Sequence, residues 1–101
     1  MKQYIHRPGT SAYKALERES INRGATKFGV STKGNSKYFV IYKGKTIHFG
    51  SRIHKDYTFH KDSERKERYR NRHRGILKKD GTPAYLDKTK PAYWAWWILW
   101  D

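Results

Sequence analysis

Residues 37–50, KYFVIYKGKTIHFG, constrain the fold more than any other part of this chain. Aromatic and β-branched residues dominate on both sides of Lys43-Gly44, a pair suited to a tight turn. Alternation puts Tyr38, Val40 and Tyr42 on one face and Phe39 and Ile41 on the other. Ile47 and Phe49 share a face in the strand that follows. KFGVS, starting at Lys27, supplies a further strand, with TKGNS as the separator. The expectation is a small three-stranded antiparallel meander within residues 27–50. Its middle strand is apolar on both faces, which predicts a central strand covered on both sides.

Helices flank this sheet. MKQYIHRPGT, residues 1–10, has no periodicity and reads as an extended arm with a turn at Pro8-Gly9. Such a basic arm is disordered when free, so a neighbour is expected to hold it. SAYKALERESINRG follows: Thr10 or Ser11 caps it, Gly24 ends it, and a short helix is expected over about 11–22. Tyr13, Leu16 and Ser20 share a face of it, with Ile21 beside them. SRIHKDYTFHKD, residues 51–62, reads as an ordered connection anchored by Tyr57 and Phe59. Asp62 or Ser63 then caps a helix running to about Arg74, with Gly75 at its stop. Its acids Asp62, Glu64 and Glu67 come early and its cations Arg70, Arg72, His73 and Arg74 come late, as the helix dipole favours. Glu64 is spaced to pair with Arg68. Only Tyr69, His73 and then Ile76 or Leu77 form an apolar stripe.

KKDGTPAYLDKTK, residues 78–90, reads as a linker with a turn at Asp80-Gly81. PAYWAWWILWD closes the chain as a buried aromatic segment. Pro91 suits a first helical turn, and Tyr93, Trp97 and Trp100 then share a face; a strand remains the alternative. The fold class is therefore α+β. The division is an arm and short helix over 1–26 and a single small domain with an aromatic tail over 27–101.

Charge narrows the function. Lysine and arginine number 23 against 9 acids, for a net charge of +14. Such a surface attracts polyanions. Hydrophobic residues make up only 36%, below the globular norm of about 45–50%. With no cysteine there is no disulfide and no thiolate metal site, and the spacing of the five histidines matches no zinc pattern. No nucleophile elbow, P-loop or glycine-rich phosphate loop is present. The expectation is no metal, no cofactor and no enzymatic activity. The apolar stretch 91–100 is about half the length a membrane span requires.

The binding candidates are the cations of the 60–75 region and just beyond: Arg65, Arg68, Arg70, Arg72, Arg74, Lys78 and Lys79. Either nucleic-acid phosphates or an acidic protein surface would suit them. Strand aromatics such as Tyr38, Tyr42 and Phe49 would stack bases in the first case. Glu64 and Glu67, unwelcome beside phosphates, lean towards a protein. Trp94, Trp96, Trp97 and Trp100 either complete the core or anchor an interface.

GKTIHFGSRIHKDYTFHKDSERKERYRNRHR, followed by the terminal W-W-I-L-W element, resembles an uncharacterised family of small basic domains encoded by nucleocytoplasmic large DNA viruses. The residues that carry the resemblance are Phe49-Gly50, Asp56 through Asp62, Arg65 or Lys66 through Tyr69 to Arg72-His73, and Leu99-Trp100, within about residues 37–100. The chain departs from that pattern at Asp101, where members of the family run on, and at Lys90-Pro91-Ala92, where they carry small residues. The resemblance implies a viral source, a place in the virion after assembly in the host cytoplasm, and no catalysis. A minor structural protein that cements capsid proteins is the first expectation; a sequence-independent nucleic-acid-binding protein that packages or condenses DNA is the second. Asp56, Thr58, His60 and Asp62 are expected to form a structural polar joint, with the aspartates on backbone donors or on Arg72 or Arg74.

Overall fold

A computed structural model describes residues 3–101; Met1 and Lys2 of the arm lie outside the described residues. Strands β1 (Lys27–Val30), β2 (Tyr38–Tyr42) and β3 (Lys45–Phe49) form an antiparallel sheet in the order β1-β2-β3. Val40 sits opposite Phe28 on one side and Ile47 on the other. Lys43 and Gly44 both take positive φ, 48° and 78°. That is the backbone a two-residue turn needs to match the twist of its strands.

One face of the sheet is the core. Phe28, Tyr38, Val40, Ile47 and Phe49 are buried there, and rings run in sequence from Tyr13 to Phe28 to Tyr38 to Phe49, 5.2, 5.2 and 6.1 Å apart. Helix α1 (Ser11–Asn22) adds Tyr13 and Leu16 to it. The Thr10 hydroxyl caps α1 by accepting the Tyr13 N–H at 3.2 Å. On the opposite sheet face Phe39, Ile41 and His48 are only half-buried. The cover expected on both sides of β2 is thus present on one side alone.

The arm also differs from expectation, since the chain itself orders it. Ile5 is buried in the core. Tyr4 donates its N–H to the Arg52 carbonyl at 2.7 Å, and His6 donates its N–H to the Tyr38 hydroxyl at 2.9 Å. One hydrophobic cluster runs from Ile5 through Leu16 and Val40 to Leu99.

After the sheet, Asp56 caps a single turn, α2 (Tyr57–His60), and Asp62 caps α3 (Ser63–Arg74) through the N–H groups of Glu64 and Arg65 at 3.0 and 3.3 Å. The expected linker over 78–90 is ordered. Leu77 bridges to Pro83, Ala84–Leu86 form a 3₁₀ turn, and Lys78 reaches Asp87 at 2.7 Å. The tail is helical: α4 (Pro91–Trp94) continues as a π-helical turn, Ala95–Leu99. A π turn advances a smaller angle per residue than an α turn. Trp100 therefore leaves the face of Tyr93 and Trp97 and stacks on Tyr69 of α3, 4.3 Å away.

Candidate functional site

Helix α3 has no buried residue, and its polar surface divides into two stripes. Arg65, Arg68, Tyr69, Arg72 and His73 follow the i, i+3, i+4, i+7, i+8 pattern of one helical face. They form one wall of a cleft of about 590 Å³. Ser63, Lys66, Glu67, Arg70, Asn71 and Arg74 form the other stripe and line a separate groove. The cleft's far wall is Pro91, Ala92 and Ala95, its floor is Gly50, Leu99 and Trp100, and His54 and Lys55 stand at its edge.

The floor also holds the one buried ion pair among the described residues. Lys37 Nζ donates to Asp56 Oδ2 at 2.5 Å, and the two side chains are 1% and 3% exposed. Burial holds the Lys37 pKa below that of a free lysine, with Asp56 opposing the shift. The other Asp56 oxygen accepts the Thr58 N–H at 2.8 Å and the Thr58 hydroxyl. With that hydroxyl proton committed, His6 Nε2 must be the donor in its 3.1 Å contact with Thr58 Oγ1. Burial pulls the His6 pKa down, and Asp56 offsets part of the shift.

Gly50 fits this floor through both its backbone and its lack of a side chain. Its φ is +82°, and a Cβ there would stand 2.9 Å from Leu99 Cδ1 and 3.2 Å from Lys37 Cβ. Only glycine accepts both the backbone and the contact without strain.

A column of rings closes the site. Tyr69 stacks on Trp100 at 4.3 Å and on His73 at 3.9 Å. Burial pushes the Tyr69 hydroxyl up to about 12. His73 donates its Nδ1–H to the Tyr69 carbonyl at 3.0 Å, and burial lowers its pKa. His60 packs against Trp100 at 5.2 Å; its Nδ1 accepts the Asp62 N–H, while its Nε2 is buried with no hydrogen-bond partner. Burial lowers the His60 pKa as well.

The expected binding residues separate under this geometry. Arg65, Arg68 and Arg72 are brought together along the cleft, and none pairs with an acid within ion-pair distance among the described residues. The expected Glu64–Arg68 pair is accordingly not formed. Arg70 is turned away and tied to Asp101 at 2.6 Å and to the Trp100 carbonyl at 3.2 Å. Arg74 meets Asn71 at 3.2 Å on the same outer stripe. Lys78 is held by Asp87 and Asp80, and Lys79 is exposed outside the cleft. An alternating run of arginines splays around a helix, which is why 70 and 74 part from 68 and 72.

Other placements are corrections. Of the two kinds of partner expected for the aspartates of the polar joint, backbone donors are found and Arg72 and Arg74 are not: Asp62 accepts from the N–H groups of Glu64 and Arg65, and Asp56 accepts the Thr58 N–H while also pairing with Lys37. Tyr38 and Phe49 are in the core and Tyr42 packs by Trp94, so the expected base-stacking strand aromatics are not presented. Trp94 is 0% exposed and Trp96 is buried against Tyr85 at 4.1 Å, so neither is available as an interface anchor. Trp97 is half-buried under Arg23 at 4.7 Å, with its indole N–H on the Tyr85 carbonyl. Sequence reasoning missed Lys37, Gly50, His54, Lys55, Ala92 and Ala95 as parts of the site. Only Lys55, inside a basic connection, carried a local signal.

Among the described residues no group of three or more histidines or acids could hold a metal ion, and no helix is long and apolar enough to cross a membrane. Residues 26–73 match the model of a family of unknown function (DUF5754). The matched stretch contains the sheet, the Lys37–Asp56 pair, Gly50 and the α3 wall as far as His73; the wall and floor contributed by 91–100 lie outside it. No curated protein and no solved structure gives a match.

Proposed function

We propose that this protein binds nucleic acid without sequence preference, gripping phosphates with Arg65, Arg68, Arg72 and Lys55. One observation carries the reading: three arginines free of acidic partners share the cleft stripe of α3, while Glu67 lies on the other stripe and Glu64 on neither. The acids that argue against phosphate contact in the sequence are therefore off the binding face. Over the two turns from Arg65 to Arg72 the cations span about 10 Å along the helix axis, a length that meets several phosphates of a strand. Contacts from exposed arginines to phosphates fix position and carry no sequence information. Packaging or condensing the DNA of a large virus is the role this activity would have in the setting the sequence resemblance implies.

The capsid-cementing reading is less well supported, since Trp94 and Trp96 are consumed by the core. The two are separated by titrating the protein against random-sequence DNA and against polyglutamate over a salt series. Phosphate gripping predicts DNA binding whose log–log salt slope falls by about 2 to 3 in Arg65→Gln/Arg68→Gln/Arg72→Gln. The slope should not change in Arg70→Gln/Lys78→Gln, whose cations are already paired. Binding to polyglutamate with no affinity for DNA would overturn the proposal in favour of an acidic protein partner.

A further inference from the structure

The rim explains phosphates but not the interior of the cleft. Behind the arginines the space is lined by Ala92, Ala95, Leu99, Gly50 and the ring of Trp100. Its volume, about 590 Å³, lies in the range of roughly 300–1,000 Å³ typical of small-ligand pockets. A duplex presents its phosphates outward and keeps its bases stacked inside, so it would cover this cleft without filling it.

The ring column bears on the same point. Trp100 and His73 both lie parallel to Tyr69, within 5° and 20°, and make no ring contact with each other. They therefore occupy opposite faces of Tyr69. The column runs Trp100, Tyr69, His73, and its last ring is half-buried at the cleft wall. The one acid lining the cleft, Asp56, is neutralised by Lys37, so nothing there repels an anion. Ala92 of α4 and Ala95 of the turn after it, both small, line the same cleft as Tyr69, His73 and Trp100.

Resting on the phosphate-gripping reading, we infer that the cleft takes an unpaired nucleobase, so that the ligand is single-stranded nucleic acid with its backbone on Arg65, Arg68 and Arg72. The base continues the column beyond His73 while its own phosphate stays at the rim. Stacking on a ring tolerates any base, which agrees with binding that ignores sequence.

The test compares, on the wild-type protein, a short oligothymidylate, an abasic strand of equal length with the same phosphates, and a random-sequence duplex. Fluorescence anisotropy at fixed salt reads the affinities. The base-bearing strand should bind about tenfold tighter than the abasic one, or more, and tighter than the duplex. Ala92→Leu, which fills the cleft and removes no charge, should erase that advantage and leave the salt slope unchanged. Equal affinity for the base-bearing and abasic strands overturns the inference and leaves the phosphate grip standing. A duplex bound more tightly than the single strand also overturns it. No binding to any of the three removes the underlying reading as well. Should Ala92→Leu fail to fold, the abasic comparison decides alone.

Discussion

Two sets of cations meet at this cleft, one beneath it and one along its rim. Beneath, Lys37 is sealed from water and held by Asp56 at 2.5 Å. Along the rim, Arg65, Arg68 and Arg72 are exposed and have no acidic partner among the described residues. A buried charge is tolerated only when paired, and the pair adds little over apolar residues of the same size. What the pair does supply is position: Asp56 also caps α2 and holds Thr58, so it fixes the turn that launches α3. Exposed like charges on one stripe repel each other and contribute nothing to folding. The first set is explained by the fold. The second is what the proposed ligand would account for.

The largest effect should come from splitting the buried pair. Asp56→Ala leaves Lys37 charged and alone in the interior, with an expected loss of about 3–5 kcal/mol in urea unfolding. Adding Lys37→Met to that variant should recover part of the loss. A loss below about 1 kcal/mol would mean that water reaches Lys37, and the contrast between the two sets would collapse. Next comes Gly50→Ala, which combines an unfavourable φ with a clash against Leu99. It should cost about 1–3 kcal/mol. Its DNA salt slope should be unchanged at temperatures where it remains folded.

Acid provides a smaller, graded effect. His6, His60 and His73 are all held below the free value of 6.5, burial being the first cause for each. As the pH drops below that value, the unfolded chain takes protons that the folded chain refuses. Stability that is full above pH 6.5 is therefore lost on the acid side. The thermal midpoint should fall between about pH 7 and pH 5, before carboxylates titrate. His60→Phe should flatten that fall, since it removes a buried, unpartnered Nε2. A midpoint constant over this interval would show that the imidazoles are hydrated in the folded protein.

The parts of this molecule legible in the sequence are those set by neighbours in the chain. Thr10 and Asp62 cap the helices that follow them, and Lys43-Gly44 turns β2 into β3. Lys37 heads a strand and reads locally as a solvent-facing end; its partner Asp56 is nineteen residues on, and only the closed sheet brings them together. The arm reads as unstructured because its partners, Tyr38 and Arg52, are more remote still. Trp100 is misplaced by an ideal helical period because the tail widens into a π turn. The cleft was hidden for a related reason: its walls come from α3 and α4, and neither sequence alone shows that the two face each other.

The smallest expected change is the one that best separates the two sets. Arg65→Gln/Arg68→Gln/Arg72→Gln removes three charges from a chain of net charge +14. Their side chains accept no structural duty: no hydrogen bond or ion pair among the described residues uses the guanidinium of any of them. Surface substitutions of that kind stay within about 0.5 kcal/mol each. Relief of repulsion should hold the thermal midpoint steady or raise it slightly, even as the DNA salt slope falls. A midpoint that dropped by the several degrees expected of a 1 kcal/mol loss would mean that the rim packs into the fold. The arginines would then belong with Lys37, as parts of the structure, and the case for a ligand in the cleft would lose its main support.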